Sequence, residues 1–179
     1  MVQVRVAGIA LDPAGQHVIL LKPIDELPGE GQILPIWIGA QEATSILVAV
    51  EGAETPRPFA HDLMRSMLAS LDAIVQRIEI TRITEGTYYA EIVLNAGGGT
   101  HRIDARPSDA IALASRVGAE LWVADEVILQ AGIVDEVTDD EEVAHGAVDP
   151  EVVDPVVAEE RVDEFKRFLE NVDPDDFRG

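Results

Sequence analysis

The acidic residues of this chain are unevenly placed, and that limits how much of it can build a core. Residues 1–135 hold 18 Asp and Glu against 9 Lys and Arg, a net charge of −9. Residues 136–179 hold 16 against 4, a net of −12 in a quarter of the length. Val-Asp-Pro recurs there at 148–150, 153–155 and 172–174, a setting too acidic and proline-rich for a packed interior. The sequence predicts one folded domain over 1–135 and an acidic tail over 136–179. One tail helix is expected over 154–170, capped by Asp154 and started by Pro155, with Val162, Phe165, Phe168 and Leu169 on one apolar face. The tail reads as solvated with one docking helix, in preference to a self-inhibitory polyphosphate mimic.

Within 1–135 the hydrophobic period changes repeatedly. Val2, Val4 and Val6 alternate with polar residues, the period of a half-buried strand that runs on to Leu11. Asp12-Pro13-Ala14-Gly15 predicts a turn into a second strand from His17 to Leu21, and Ile33–Ile38 a third, which Pro35 marks as an edge or irregular strand. Gly39 ends that strand, and a helix is expected to follow to about Val50, with Ala43, Ile46, Leu47 and Val50 on one apolar stripe. A second runs from Pro58 to Leu71, with Leu63, Met64, Met67, Leu68 and Leu71 as its buried face. Strands follow near 73–83, 87–94 and 100–105. Pro107 then opens a third helix, with Ala110, Leu113, Ala114 and Val117 on its stripe and Gly118 as its cap. A short strand at 121–124 and a short helix at 125–130 complete the domain. The fold class is α+β, a mostly antiparallel sheet with helices packed on it and an acidic C-terminal tail; the βαβ alternation of a doubly wound fold is absent.

Composition excludes some chemistry. With no cysteine there is no disulfide framework, thiolate nucleophile or thiolate metal site. Aromatic residues are 4%, so the core is aliphatic. No signal-peptide pattern or run of about 20 apolar residues is present, so a cytoplasmic location with no membrane association is expected. The formal charge of −21 opposes binding to nucleic acid except where positive charge or metal ions act locally.

HExxH, GxGxxG, P-loop and GxSxG patterns are missing. The glycine-rich run at 95–100 joins two strands and reads as a hairpin loop rather than a phosphate cradle. Two polar clusters stand out. In the first, His61, Asp62 and Arg65 share one helix face opposite the apolar stripe, with Arg57 just before it. That set suits phosphodiester chemistry, with imidazole as base or ligand, carboxylate as metal ligand and guanidinium on the phosphate. An ordinary solvated face with an Asp62–Arg65 ion pair is the plainer reading. In the second, Asp104, Arg106, Ser108 and Asp109 lie at a strand-to-helix junction, where backbone N–H groups favour an anion. Asp104 and Asp109 suit a divalent ion shared with Glu42 or Asp62, should the fold join them; a helix cap is the plainer reading. His17 and His101 receive no role, and Trp37 and Trp122 read as core or interface residues. No Ser–His–Asp arrangement is recognisable, so a carboxylate-bound metal is the expected means of activating water.

The segments LPIWIGAQEATSI (34–46), TPRPFAHDLM (55–64), EGTYYAEIVL (85–94) and ARPSDAIALASRVGAELWV (105–123) resemble the bifunctional nuclease family, in the right order and over about residues 1–135. The resemblance implies an α+β fold and activity on DNA and RNA. It places the family's polar positions at Glu42, Arg57, His61, Asp62, Arg106, Ser108 and Asp109. Phe59-Ala60 departs from the Leu-Thr common there. On this reading His61, Asp62 and Asp109 are catalytic and Arg57, Arg106 and Ser108 bind phosphate. Glu42, Asp62 and Asp109 hold Mg²⁺ or Mn²⁺, and His61, Asp62, Arg106 and Asp109 are expected to meet in one pocket. The alternative is a non-catalytic oligomeric module for a protein or small anionic ligand. A homo-oligomer is expected in either case, from the core size and from Pro35 and Trp37 near a sheet edge.

Overall fold

The protein is described by a computed structural model covering residues 1–135; the acidic tail and the helix expected at 154–170 lie outside the described residues. The elements run β1 (Val2–Leu11), β2 (His17–Pro23), β3 (Gln32–Ile38), α1 (Ala40–Glu51), α2 (Ala60–Ser70), β4 (Ile74–Thr84), β5 (Thr87–Ala96) and β6 (Gly99–Ala105). They continue with α3 (Pro107–Val117), β7 (Glu120–Val123), α4 (Asp125–Ala131) and β8 (Ile133–Val134). The strands form one sheet in the order β6-β5-β4-β7-β1-β2-β3-β8. All neighbours are antiparallel except β4 and β7, and the chain reaches β7 from β6 by a crossover through α3. The fold is the expected α+β arrangement, with this parallel pair at its centre.

Local chemistry sets the register. Asp12 accepts the backbone N–H groups of Ala14 and Gln16, both at 2.9 Å, which closes the β1–β2 turn. Glu85 and Gly86 both have positive φ, 51° and 78°, the two-residue turn whose twist matches the β4–β5 strands. Pro35 pairs with Leu20 of β2, while β8 reaches only Gln32 and Ile33 on the other side of β3. Its missing N–H therefore leaves no sheet partner unsatisfied. Trp37 is exposed, with its indole N–H on Asp12 at 3.0 Å, rather than in the core.

The core is aliphatic. Val4, Ile19, Leu21, Leu34, Ile36, Ile78 and Ile80 of the sheet pack with Ile46 of α1 and Ile111 of α3. Helix α3 is buried on more than its predicted stripe: Ala112 and Ile111 are enclosed as well as Ala110, Leu113 and Ala114. It packs against β4 and β5 and also against α1 and α2, and its small side chains permit that close approach. Gly118 ends it in the left-handed conformation, φ 69°, as the sequence predicts.

Helix α2 overturns an expectation. Its only buried residue is His61, while Leu63, Met67 and Leu71 at its end are 57%, 56% and 70% exposed and Met64 is exposed too. The helix docks through its polar face and, half-buried Leu68 apart, leaves its apolar stripe outward. Leu47 and Val50 of α1 and Val117 of α3, expected inside, are also exposed. At the end of the described chain, Asp135 forms a buried ion pair with Lys22 and accepts the Gly29 N–H at 3.0 Å. Lys22 also donates to the Glu30 carbonyl at 2.8 Å, so the 24–31 loop closes around this pair.

Candidate active site

The starts of three helices meet at one pocket of about 480 Å³. Gln41 and Glu42 come from the first turn of α1, Phe59 to His61 from the start of α2, and Arg106 and Asp109 from the start of α3. Neither α1 nor α3 has a side-chain cap, so their first N–H groups and positive dipole ends bear on the same space.

His61 is the hinge of the site. Its Nε2 lies 3.3 Å from Asp109 Oδ1 and its Nδ1 lies 2.9 Å from Ser45 Oγ on α1. Asp109 also accepts Arg106 Nε at 2.7 Å and Nη2 at 3.1 Å, and Arg106 Nη1 reaches Glu42 at 3.0 Å. Burial pulls the Asp109 carboxyl up, but the Arg106 hydrogen bonds and charge, with those of His61, outweigh it and leave the carboxyl below the usual range. Asp109 is thus ionised at neutral pH.

The structure places the expected residues unequally. Glu42, His61, Arg106 and Asp109 line the pocket. Asp62 does not join them. One of its oxygens accepts the Phe59 N–H at 2.8 Å, and the other accepts Arg116 Nε at 2.6 Å. It lines a neighbouring pocket with Arg65 and Arg116, so its main partner is Arg116 of α3 rather than Arg65 of its own helix. Burial again opposes ionisation of Asp62, and Arg116 and the Phe59 N–H more than compensate, which holds its carboxyl low. Ser108 is buried in the first turn of α3 and Arg57 is exposed beside α2; neither lines the pocket. The expected metal ligands are therefore divided: Arg106 ties Glu42 and Asp109 together while Asp62 faces away. Among the described residues no three His, Asp or Glu side chains gather as a metal shell.

Two residues that sequence reasoning missed complete the site. Ser45 closes a Ser–His–Asp hydrogen-bonded chain with His61 and Asp109. Arg116, 3% exposed at its side chain, donates Nη1 to the carbonyls of Ser45 and Ala112, both at 3.0 Å, and so fixes α1 and α2 on α3. Ser45 is buried beside Ile46, and its one signal was a hydroxyl on an apolar helix face.

The bifunctional nuclease domain is matched over residues 20–136, nearly two thirds of the chain and all of its helices described above. The chain belongs to the bifunctional nuclease domain family. Two relatives from Mycobacterium tuberculosis, uncharacterized protein Rv1829 of strain H37Rv and uncharacterized protein MT1877 of strain CDC 1551, are each 38% identical to it over 180 residues. Those matches span 100% of this chain and 99% of each relative, tail included. In this bifunctional nuclease domain the segments RPFAHD and RPSD meet through the contact of His61 with Asp109, 48 positions later in the sequence. Among its described residues no helix is long and apolar enough to cross a membrane.

Proposed function

We propose that this domain binds a phosphodiester of DNA or RNA at the three helix starts and hydrolyses it. The observation that carries the reading is the convergence of those starts with Arg106 and the His61–Asp109 pair on one pocket, in a chain of this family. Uncapped first-turn N–H groups suit phosphate oxygens, and Arg106 keeps Nε and Nη2 on Asp109 while turning Nη1 from Glu42 to the phosphate. Arg57, exposed at the entry to α2, meets the neighbouring backbone. His61 moves the proton, and Asp109 fixes its tautomer and balances its charge. A divalent ion held by Glu42, Asp62 and Asp109 does not fit the donor arrangement, because Asp62 faces Arg116 and Arg106 occupies the other two carboxylates. The exposed stripe of α2 supports a homo-oligomer as the working form.

The test is strand cleavage of single-stranded RNA and DNA by protein from a nuclease-deficient host. His61→Gln should reduce cleavage by about 10²–10⁴-fold, Arg106→Gln should weaken substrate binding, and Leu129→Ala, at an exposed position of α4, should change nothing. Equal cleavage by all four proteins would assign the activity to a contaminant. One observation favours a second reading: Glu42 and Asp109 outnumber Arg106 at the pocket, and the whole chain carries −21. On that reading the pocket binds a protein or small anionic ligand without catalysis. Saturable binding of such a ligand with no cleavage by the wild type would select it.

A further inference from the structure

We propose that Ser45 is a nucleophile of this site, activated by His61, a claim that rests on the phosphodiester reading above but names a step it leaves open. The Asp109 carboxylate oxygens only accept, so the neutral form of the imidazole turns its N–H on Nε2 to Asp109 and presents a bare Nδ1 to Ser45. Ser45 Oγ, 2.9 Å away, must then donate. Ser66, Ser70, Ser115 and Thr44 each donate to the carbonyl four residues back, the ordinary fate of a hydroxyl inside a helix. Ser45 instead turns its hydroxyl to His61. Though only 8% exposed, it lines the pocket, and Arg116 pins its carbonyl.

The chemistry is a double displacement at phosphorus. Ser45 Oγ attacks, its proton passes to His61 Nδ1, and the new O–P bond forms as the P–O bond to the departing nucleoside oxygen breaks. His61 returns that proton to the departing oxygen. Water then attacks the phosphoserine, giving a proton to Nδ1, and Ser45 leaves and takes it back. The net reaction is hydrolysis. The roles of the two ring nitrogens are the reverse of those in the familiar serine-protease triad, where Nε2 faces the serine.

The test treats the full chain with diisopropyl fluorophosphate in the presence of a chelator and maps the adduct by peptide mass spectrometry. A single phosphoryl adduct on Ser45 is expected, absent in Ser45→Ala. Asp109→Asn should slow it about 100-fold, because its amide oxygen turns to Arg106 and its NH₂ to His61, which moves the imidazole proton onto Nδ1. No adduct on Ser45, or an adduct at the wild-type rate in Asp109→Asn, overturns the proposal. Strand cleavage on the same preparations separates the two claims. Cleavage that persists unchanged in Ser45→Ala removes the nucleophile and leaves the phosphodiester function. An adduct on Ser45 without any cleavage keeps the nucleophile and removes the nucleic-acid substrate.

Discussion

Asp109 receives three N–H groups, two from Arg106 and one from His61, so its carboxylate stabilises the fold as well as the site. Because its folded pKa lies below its unfolded value, this stabilisation is present above about pH 4 and is lost as pH falls through the folded pKa. Asp109→Asn should therefore cost about 1–2 kcal/mol at pH 7, at the lower end of a charged hydrogen bond because water screens exposed Arg106. Urea unfolding should show the gap between the two proteins narrowing as pH drops toward 3; a gap that stays constant would mean the carboxylate charge is not what stabilises. His61, Arg106, Asp109 and Glu42 were legible as residues because polar side chains at helix starts stand out from the aliphatic background. Their partners were not. Ser45 lies on a buried face of α1, and Arg116 reads as a last-turn cation; only the packing of α1 and α2 against α3 brings Ser45 to His61 and Arg116 to the Ser45 carbonyl.

Most element boundaries follow from Gly and Pro punctuation and from the change between periods of 2 and 3.6. The strand order does not, because β7 enters between β4 and β1, far from β6 that precedes it. The orientation of α2 was also illegible. Periodicity marks an apolar stripe, but burial of Asp62–Arg116 and His61 contacts turned the other face inward. Arg116→Met should destabilise the domain by about 2–3 kcal/mol, since it removes the partner of Asp62 and the clamp on α1; an unchanged urea midpoint would contradict this. The outward stripe gives a separate expectation. Sedimentation should show the wild type associating at high micromolar concentration, and Leu63→Ser with Met67→Ser should yield a monomer with intact circular dichroism. A wild type that stays monomeric would remove the oligomer, and unfolding of the double variant would mean the stripe packs within the subunit.

For the whole molecule, the charge boundary near Asp135 coincides with a structural tie, the buried Lys22–Asp135 pair. Truncation after Glu136 should preserve a cooperative thermal transition. Asp135→Ala in the same truncated chain should cost about 3–5 kcal/mol by stranding buried Lys22. Loss of cooperativity on truncation alone would place the boundary later. The central claim is that a phosphodiester seats at the three helix starts despite a charge of −21 on the chain. Amide NMR of the ¹⁵N-labelled His61→Gln variant, titrated with a dinucleotide, tests it most directly. The amides of Gln41, Glu42, Ala60 and Asp109 should shift saturably and together, and Arg106→Ala should abolish the response. Unmoved amides at these positions, or shifts confined to a different face, would contradict the account.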